Sequence, residues 1–109
     1  MITDEQIEAA LDYLRDSVET AAQAKANKVY LSEYRKTKKA ELMNLSNESS
    51  EAAKERFAYA HAEYAEFLVG LRAAIYEDAK HDFLRAAANA KIEAWRTQQA
   101  NERTMGKIV

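Results

Sequence analysis

Not one of the 109 residues is proline, and only Gly70 and Gly106 are glycine. These two residue types are the strongest intrinsic interrupters of a helix: proline lacks the amide donor, and an interior glycine costs about 1 kcal/mol relative to alanine. A chain nearly free of both can run as helix for long distances. Twenty-two of its residues are alanine, so much of the 48% apolar content is methyl-sized. Burying alanine removes little area from water, and at roughly 25 cal/mol per Å² that gain is modest against the entropy of ordering each residue. Self-association is a common remedy for so small a core.

The first helix has a legible start. Thr3 can cap it, Asp4 and Glu5 sit at the positive end of the helix dipole, and Gln6 completes a capping box. Ile7, Leu11, Leu14 and Val18 follow at helical spacing, and nothing breaks the pattern before "NLSNESS" at 44–50. Ile7, Val18, Val29 and Ala40 lie 11 residues apart, a period that suits a nearly straight stripe rather than a heptad coiled coil. The reading predicts a helix over about 4–44, roughly 60 Å long at 1.5 Å per residue.

The stretch at about 45–49 reads as a loop of turn and cap formers. Ser49 or Ser50 can start a short helix over about 50–60, and a phase shift near "AYAHAEY" suggests a bend near residue 61. A second long helix is expected over about 62–103, with Tyr64, Leu68, Leu71, Ile75, Phe83, Ile92 and Trp95 on its apolar side. The seam should hold Leu11, Leu14, Val18, Val29, Leu68, Leu71, Ile75, Phe83, Ile92 and Trp95. Fold class is therefore all-α: a single helical domain, residues 1–109, built as a long antiparallel hairpin with a short extra helix after the loop, and self-associating, most simply as a dimer.

Charge agrees with that register. Residues 1–24 carry six acids and one base, net −5, and residues 25–45 two acids and six bases, net +4. Residues 46–82 carry eight acids and four bases, net −4, and residues 83–109 two acids and five bases, net +3. A hairpin sets opposite blocks side by side, as would a dimer interface. Each exposed pair is worth only about 0–1 kcal/mol, so the blocks specify register more than stability.

Two stretches are candidate binding sites. In "KIEAWRTQQANER" Trp95 ends the apolar stripe, and Arg96, Gln99 and Arg103 belong to the hydrogen-bonding run after it. Trp and Arg dominate binding hot spots, so this tail can dock a protein partner; the bland alternative is that Trp95 plugs the end of the helix pair. In "KVYLSEYRKTKKAEL" the cations Lys28, Arg35, Lys36, Lys38 and Lys39 lie beside Tyr34. A basic strip with aromatics can follow a phosphate backbone while stacking bases, or it can be a solvated, salt-bridged helix face.

Other chemistry finds no footing. Glu77 and Asp78 stand four and three residues before His81, a carboxylate–histidine spacing, but a di-metal bundle needs that motif twice with two further carboxylates. The chain has no cysteine, hence no disulfide and no thiolate ligand or nucleophile. No G-x-S-x-G or phosphate-binding loop occurs. The expectation is a non-enzyme without catalytic residues, metal or other cofactor. Acids rather than a basic-then-apolar signal open the chain, and no long apolar run follows, so it is expected to be complete, off the membrane and cytoplasmic.

The segments "EAALDYL", "AAQAKANKVYLSEYRKTKKAELM", "AYAHAEY" and "KIEAWRTQQANER" together resemble small uncharacterised helical proteins of tailed bacteriophages and prophages, from early recombination and replication gene regions. Such relatives would carry proline where this chain has Ala62. The resemblance implies an accessory protein in the host cytoplasm, near DNA metabolism, with a phage or host protein as partner. It brings no site residues of its own.

Overall fold

The computed structural model describes residues 1–108, and among them every regular element is helical. There are four helices: α1 (Asp4–Asp16), α2 (Val18–Met43), α3 (Glu51–Ala60) and α4 (Ala62–Ile108). The Thr3 capping box forms as read: the Gln6 amide donates to Thr3 Oγ1 at 3.2 Å, and the Thr3 amide donates to Gln6 Oε1 at 2.9 Å.

The helix expected over 4–44 is interrupted at Ser17. The cause is a side chain from α4. Arg85 Nη1 donates to the Leu14 carbonyl at 3.1 Å and to Ser17 Oγ at 2.7 Å. In an uninterrupted helix the Leu14 carbonyl would accept from Val18, and a foreign donor inserted into that ladder is a known cause of helix breaks. The ladder continues on either side, with Ser17 donating to Tyr13 and Ala21 to Ser17, both at 2.9 Å.

A second interruption falls at His61, where the backbone is extended (φ −71°, ψ 139°), so the bend near 61 is present. His61 acts at both helix ends. Its amide donates to Ala58, ending α3, while its Nδ1 accepts from the Glu63 amide at 3.0 Å, capping α4. Ser50 caps α3 by accepting from the Ala53 amide at 3.1 Å. α4 then runs past 103 to Ile108.

Rather than one body, the chain forms two compact units. The first joins Met1–Ala22 to the chain from Lys80 onward. Its strands of helix run antiparallel, because Gln98 hydrogen-bonds the backbone of Ile2 while Arg85 reaches Leu14 and Ser17. Ile7, Ala10 and Ala88 are buried there. The second unit is Gln23–Ala79. Here Lys28 meets Asp78 and Lys38 meets Glu63, again an antiparallel order. Leu42 (1% exposed), Ala58 and Tyr64 form its core cluster, with Met43 packed against them.

Of the 11-residue stripe Ile7 is buried, whereas Val18, Val29 and Ala40 are exposed, so the stripe as a whole is not the seam. Leu11, Val18, Val29, Leu68 and Ile75 are exposed, and Phe83 is 75% exposed; Leu71 is buried as expected, while Leu14, Ile92 and Trp95 are half-buried. In the second unit burial instead recurs on α4 at Tyr64, Phe67, Leu71, Ala74 and Asp78, in alternating steps of three and four residues. That is a heptad rhythm of 3.5 residues per turn, where an 11-residue repeat gives 3.67. The inward positions on α2 include Ala24, Lys28, Leu31 and Lys38, so methyl groups and lysine stems fill much of the seam.

Candidate functional site

The residues Trp95, Arg96, Gln99 and Arg103 project from neighbouring turns of α4 and line one shallow groove of about 420 Å³. The i, i+4 spacing of 95, 99 and 103 stacks them along one side of the helix. Trp95 is half-buried, and its Nε1 is shielded from solvent without a hydrogen-bond acceptor. Arg96 is exposed and donates to Glu93 Oε1 at 3.1 Å, an i, i+3 pair that leaves its guanidinium in water. Gln98, one step along, instead clasps Ile2: the Ile2 amide donates to Gln98 Oε1 at 3.3 Å.

The basic strip is divided between pairing and exposure. Lys28 Nζ lies 2.7 Å from Asp78 Oδ2 and Lys25 Nζ 3.0 Å from Oδ1, so two ammonium groups hold one carboxylate that is 3% exposed. The hydrogen bond from Lys28, and then that from Lys25, lowers the Asp78 pKa below its ordinary value. Lys38 lies 3.2 Å from Glu63 and Lys39 2.8 Å from Glu55, and those hydrogen bonds raise both lysine pKa values. Tyr34 donates to Glu41 at 2.8 Å, which raises the phenol's pKa. Arg35 and Lys36 alone of the strip make no ion pair among the described residues.

Aromatic rings continue from that strip across the second unit. Tyr30 stacks on Tyr34 (5.9 Å between centroids), Tyr34 meets Phe67 at 6.0 Å, Phe67 meets Tyr64 at 6.5 Å, and Tyr64 meets Tyr59 edge-on at 5.2 Å. Lys39 sits over the Tyr59 ring, 5.2 Å from its centroid. Arg35, Lys36 and Lys39 thereby share a groove of about 440 Å³ with Tyr59 and Tyr64. The sequence reading placed Tyr64 on the apolar side of the second long helix but joined neither tyrosine to the strip, since they belong to α3 and α4 and no spacing along α2 points to them.

No protein-family model, curated protein or solved structure matches this chain. Among the described residues no helix is long and apolar enough to cross a membrane, and no three His, Asp or Glu side chains converge as metal ligands. Asp78, in helical register with His81, is engaged by Lys25 and Lys28. His81 Nδ1 is buried without a partner. The first unit holds one more concavity, of about 250 Å³, where Ala9, Ala10, Ala87 and Ala88 leave space beside Tyr13, whose buried hydroxyl has no hydrogen-bond partner.

Proposed function

We propose that the chain is a non-enzymatic, self-associating helical-hairpin protein of tailed-phage or prophage type. It acts in the host cytoplasm beside proteins of DNA recombination or replication, and it captures a protein partner on Trp95, Arg96, Gln99 and Arg103. The observation that carries this reading is the shared groove of those four side chains, with an indole N–H that has no acceptor within the chain. A buried unsatisfied donor costs about 1–3 kcal/mol, so a partner that opens the groove and brings an acceptor to the shielded Nε1 recovers that cost. Two guanidinium groups beside the ring favour a partner segment carrying carboxylates. The test is capture from phage-infected lysate by tagged protein, with Trp95→Ala and Arg96→Ala as comparators and helicity checked by circular dichroism. A band retained by wild type and lost by both folded variants is expected. Equal capture by all three refutes the reading.

A second reading, direct nucleic-acid binding, is favoured by the convergence of Arg35, Lys36 and Lys39 on Tyr59 and Tyr64. The ion pairs limit it. With Lys28, Lys38 and Lys39 already neutralised, two cations remain for phosphate, and log K should fall against log salt with a slope of only about −1.8 on duplex DNA. Five available cations would give about −4.5. Fluorescence anisotropy with labelled oligonucleotides between about 50 and 200 mM salt separates the two slopes, and no binding at low salt ends this reading.

A further inference from the structure

The outward side of α4 in the second unit carries a second apolar stripe that the chain does not cover. Val69 is 70% exposed and Tyr76 65% exposed, and Ala73 lies between them at the mouth of a shallow apolar cleft. The steps of four and then three residues are those of successive core positions of a coiled coil: Val69 at d, Ala73 at a, Tyr76 at the next d. The same helix buries Leu71, Ala74 and Asp78 within the unit, so the two stripes occupy different sides of α4.

The charges beside the stripe identify what covers it. In this register Arg72 occupies g and Glu77 the following e. In a parallel two-stranded coiled coil the g residue of one helix faces the e residue five positions later on the other. Two copies of α4 set side by side in parallel would therefore form Arg72–Glu77 pairs twice, once on each flank. An antiparallel pairing sets g against g and e against e, and both Arg72–Glu77 pairs are lost. Neither side chain makes an ion pair among the described residues, so both are available.

We infer that the face formed by Val69, Arg72, Ala73, Tyr76 and Glu77 is the seam of a parallel homodimer, its register and direction set by reciprocal Arg72–Glu77 ion pairs. This rests on the reading that the chain self-associates, and adds to it the surface and the direction.

Sedimentation velocity over a concentration series, with helicity followed in parallel, supplies the dimer affinity of wild type and variants. Arg72→Glu and Glu77→Arg each place like charges across both flanks, and each should weaken the dimer about tenfold, equivalent to about 1.4 kcal/mol. The double variant Arg72→Glu/Glu77→Arg should recover the wild-type affinity. Because the chain has no cysteine, Ala73→Cys introduces a single thiol. In the parallel dimer it meets its own copy across the seam and should oxidise to a disulfide-linked dimer faster than Ala52→Cys on α3. A dimer that survives both reversals, or no cross-link through Ala73→Cys, overturns the seam while self-association stands. A monomer at every concentration overturns both.

Discussion

Replacing Leu42 by alanine tests the core of the second unit. Leu42 is 1% exposed and packed with Ala58, Tyr64 and Met43, and among the described residues no other large side chain is as completely enclosed. Truncation removes three carbons, worth about 2.4 kcal/mol at 0.8 kcal/mol per buried methylene, before any cavity is counted. Measured Leu→Ala costs in well-packed cores run about 2.7–5.0 kcal/mol. Met43, half-buried and flexible, can relax into part of the space, which places the expected cost near the lower end, about 3 kcal/mol. The two-unit organisation turns that figure into a sharper statement. If the whole chain unfolds together, an unfolding entropy of about 2.1 cal/mol/K per residue converts it to a fall in Tm of about 13 °C. If Gln23–Ala79, about half the chain, unfolds by itself, the same cost lowers its own transition by about 25 °C. Thermal melts followed by circular dichroism and calorimetry distinguish one displaced transition from a split pair. Leu45→Ala, at an exposed loop position, is the control, with an expected change within about 0.5 kcal/mol. Should Leu42→Ala shift the melt no further than Leu45→Ala, the cluster is not the core of this unit.

The remaining predictions concern the polar groups inside the helix pairs. Arg85→Met removes the donor that occupies the Leu14 carbonyl, so the α1–α2 ladder should close; amide hydrogen exchange at Val18 should slow, and unchanged exchange would show that Arg85 does not cause the break at Ser17. Asp78 has its folded-state pKa lowered, so its pairing with Lys28 and Lys25 contributes stability above the unfolded value of 3.8 and loses it as pH falls through the depressed folded value. Asp78→Asn should therefore melt below wild type at neutral pH, with the gap closing as pH falls below 3.8; a pH-independent gap would contradict the assignment. Lys39 runs the opposite way. Its folded pKa is raised, so stabilisation by Glu55 is full below 10.5 and fades as pH rises through the folded value, and Glu55→Gln should remove that alkaline component from the melt.

The helical class and the loop at 45–49 were legible because absence of proline, a Thr3 capping box and a cluster of serines act locally, within a few residues of chain. The seam was not. Large apolar residues drew the reading to Val18, Val29 and Phe83, all exposed, whereas inward positions hold Ala10, Ser17, Ala24, Lys28, Ala74 and Asp78. An alanine or a lysine stem at a seam position looks in the sequence like an alanine or a lysine on a surface. The breaks depend on groups distant in sequence or doing unusual work: Arg85 reaching Ser17 from 68 residues away, and a histidine ring standing in for a capping carboxylate or hydroxyl. Likewise the groove at Trp95, Arg96, Gln99 and Arg103 follows from one helix's own spacing and could be read, but its counterpart at Arg35, Lys36 and Lys39 needed tyrosines from two other helices.

A seam of methyl groups offers little resistance to sliding, so the clamp of Lys25 and Lys28 on Asp78 at one end, and of Lys38 on Glu63 at the other, ties the lengths of two helices together. Between those two points a one-residue insertion in either α2 or α4 rotates every later side chain by about 100° and pulls one clamp away from its carboxylate. Descendants of this sequence can thus exchange exposed side chains freely along Gln23–Ala79, yet they can change its length only in the turn at 44–50, or in both helices by matched steps of about seven residues. Gaps in an alignment of such descendants would mark the clamp before any substitution did.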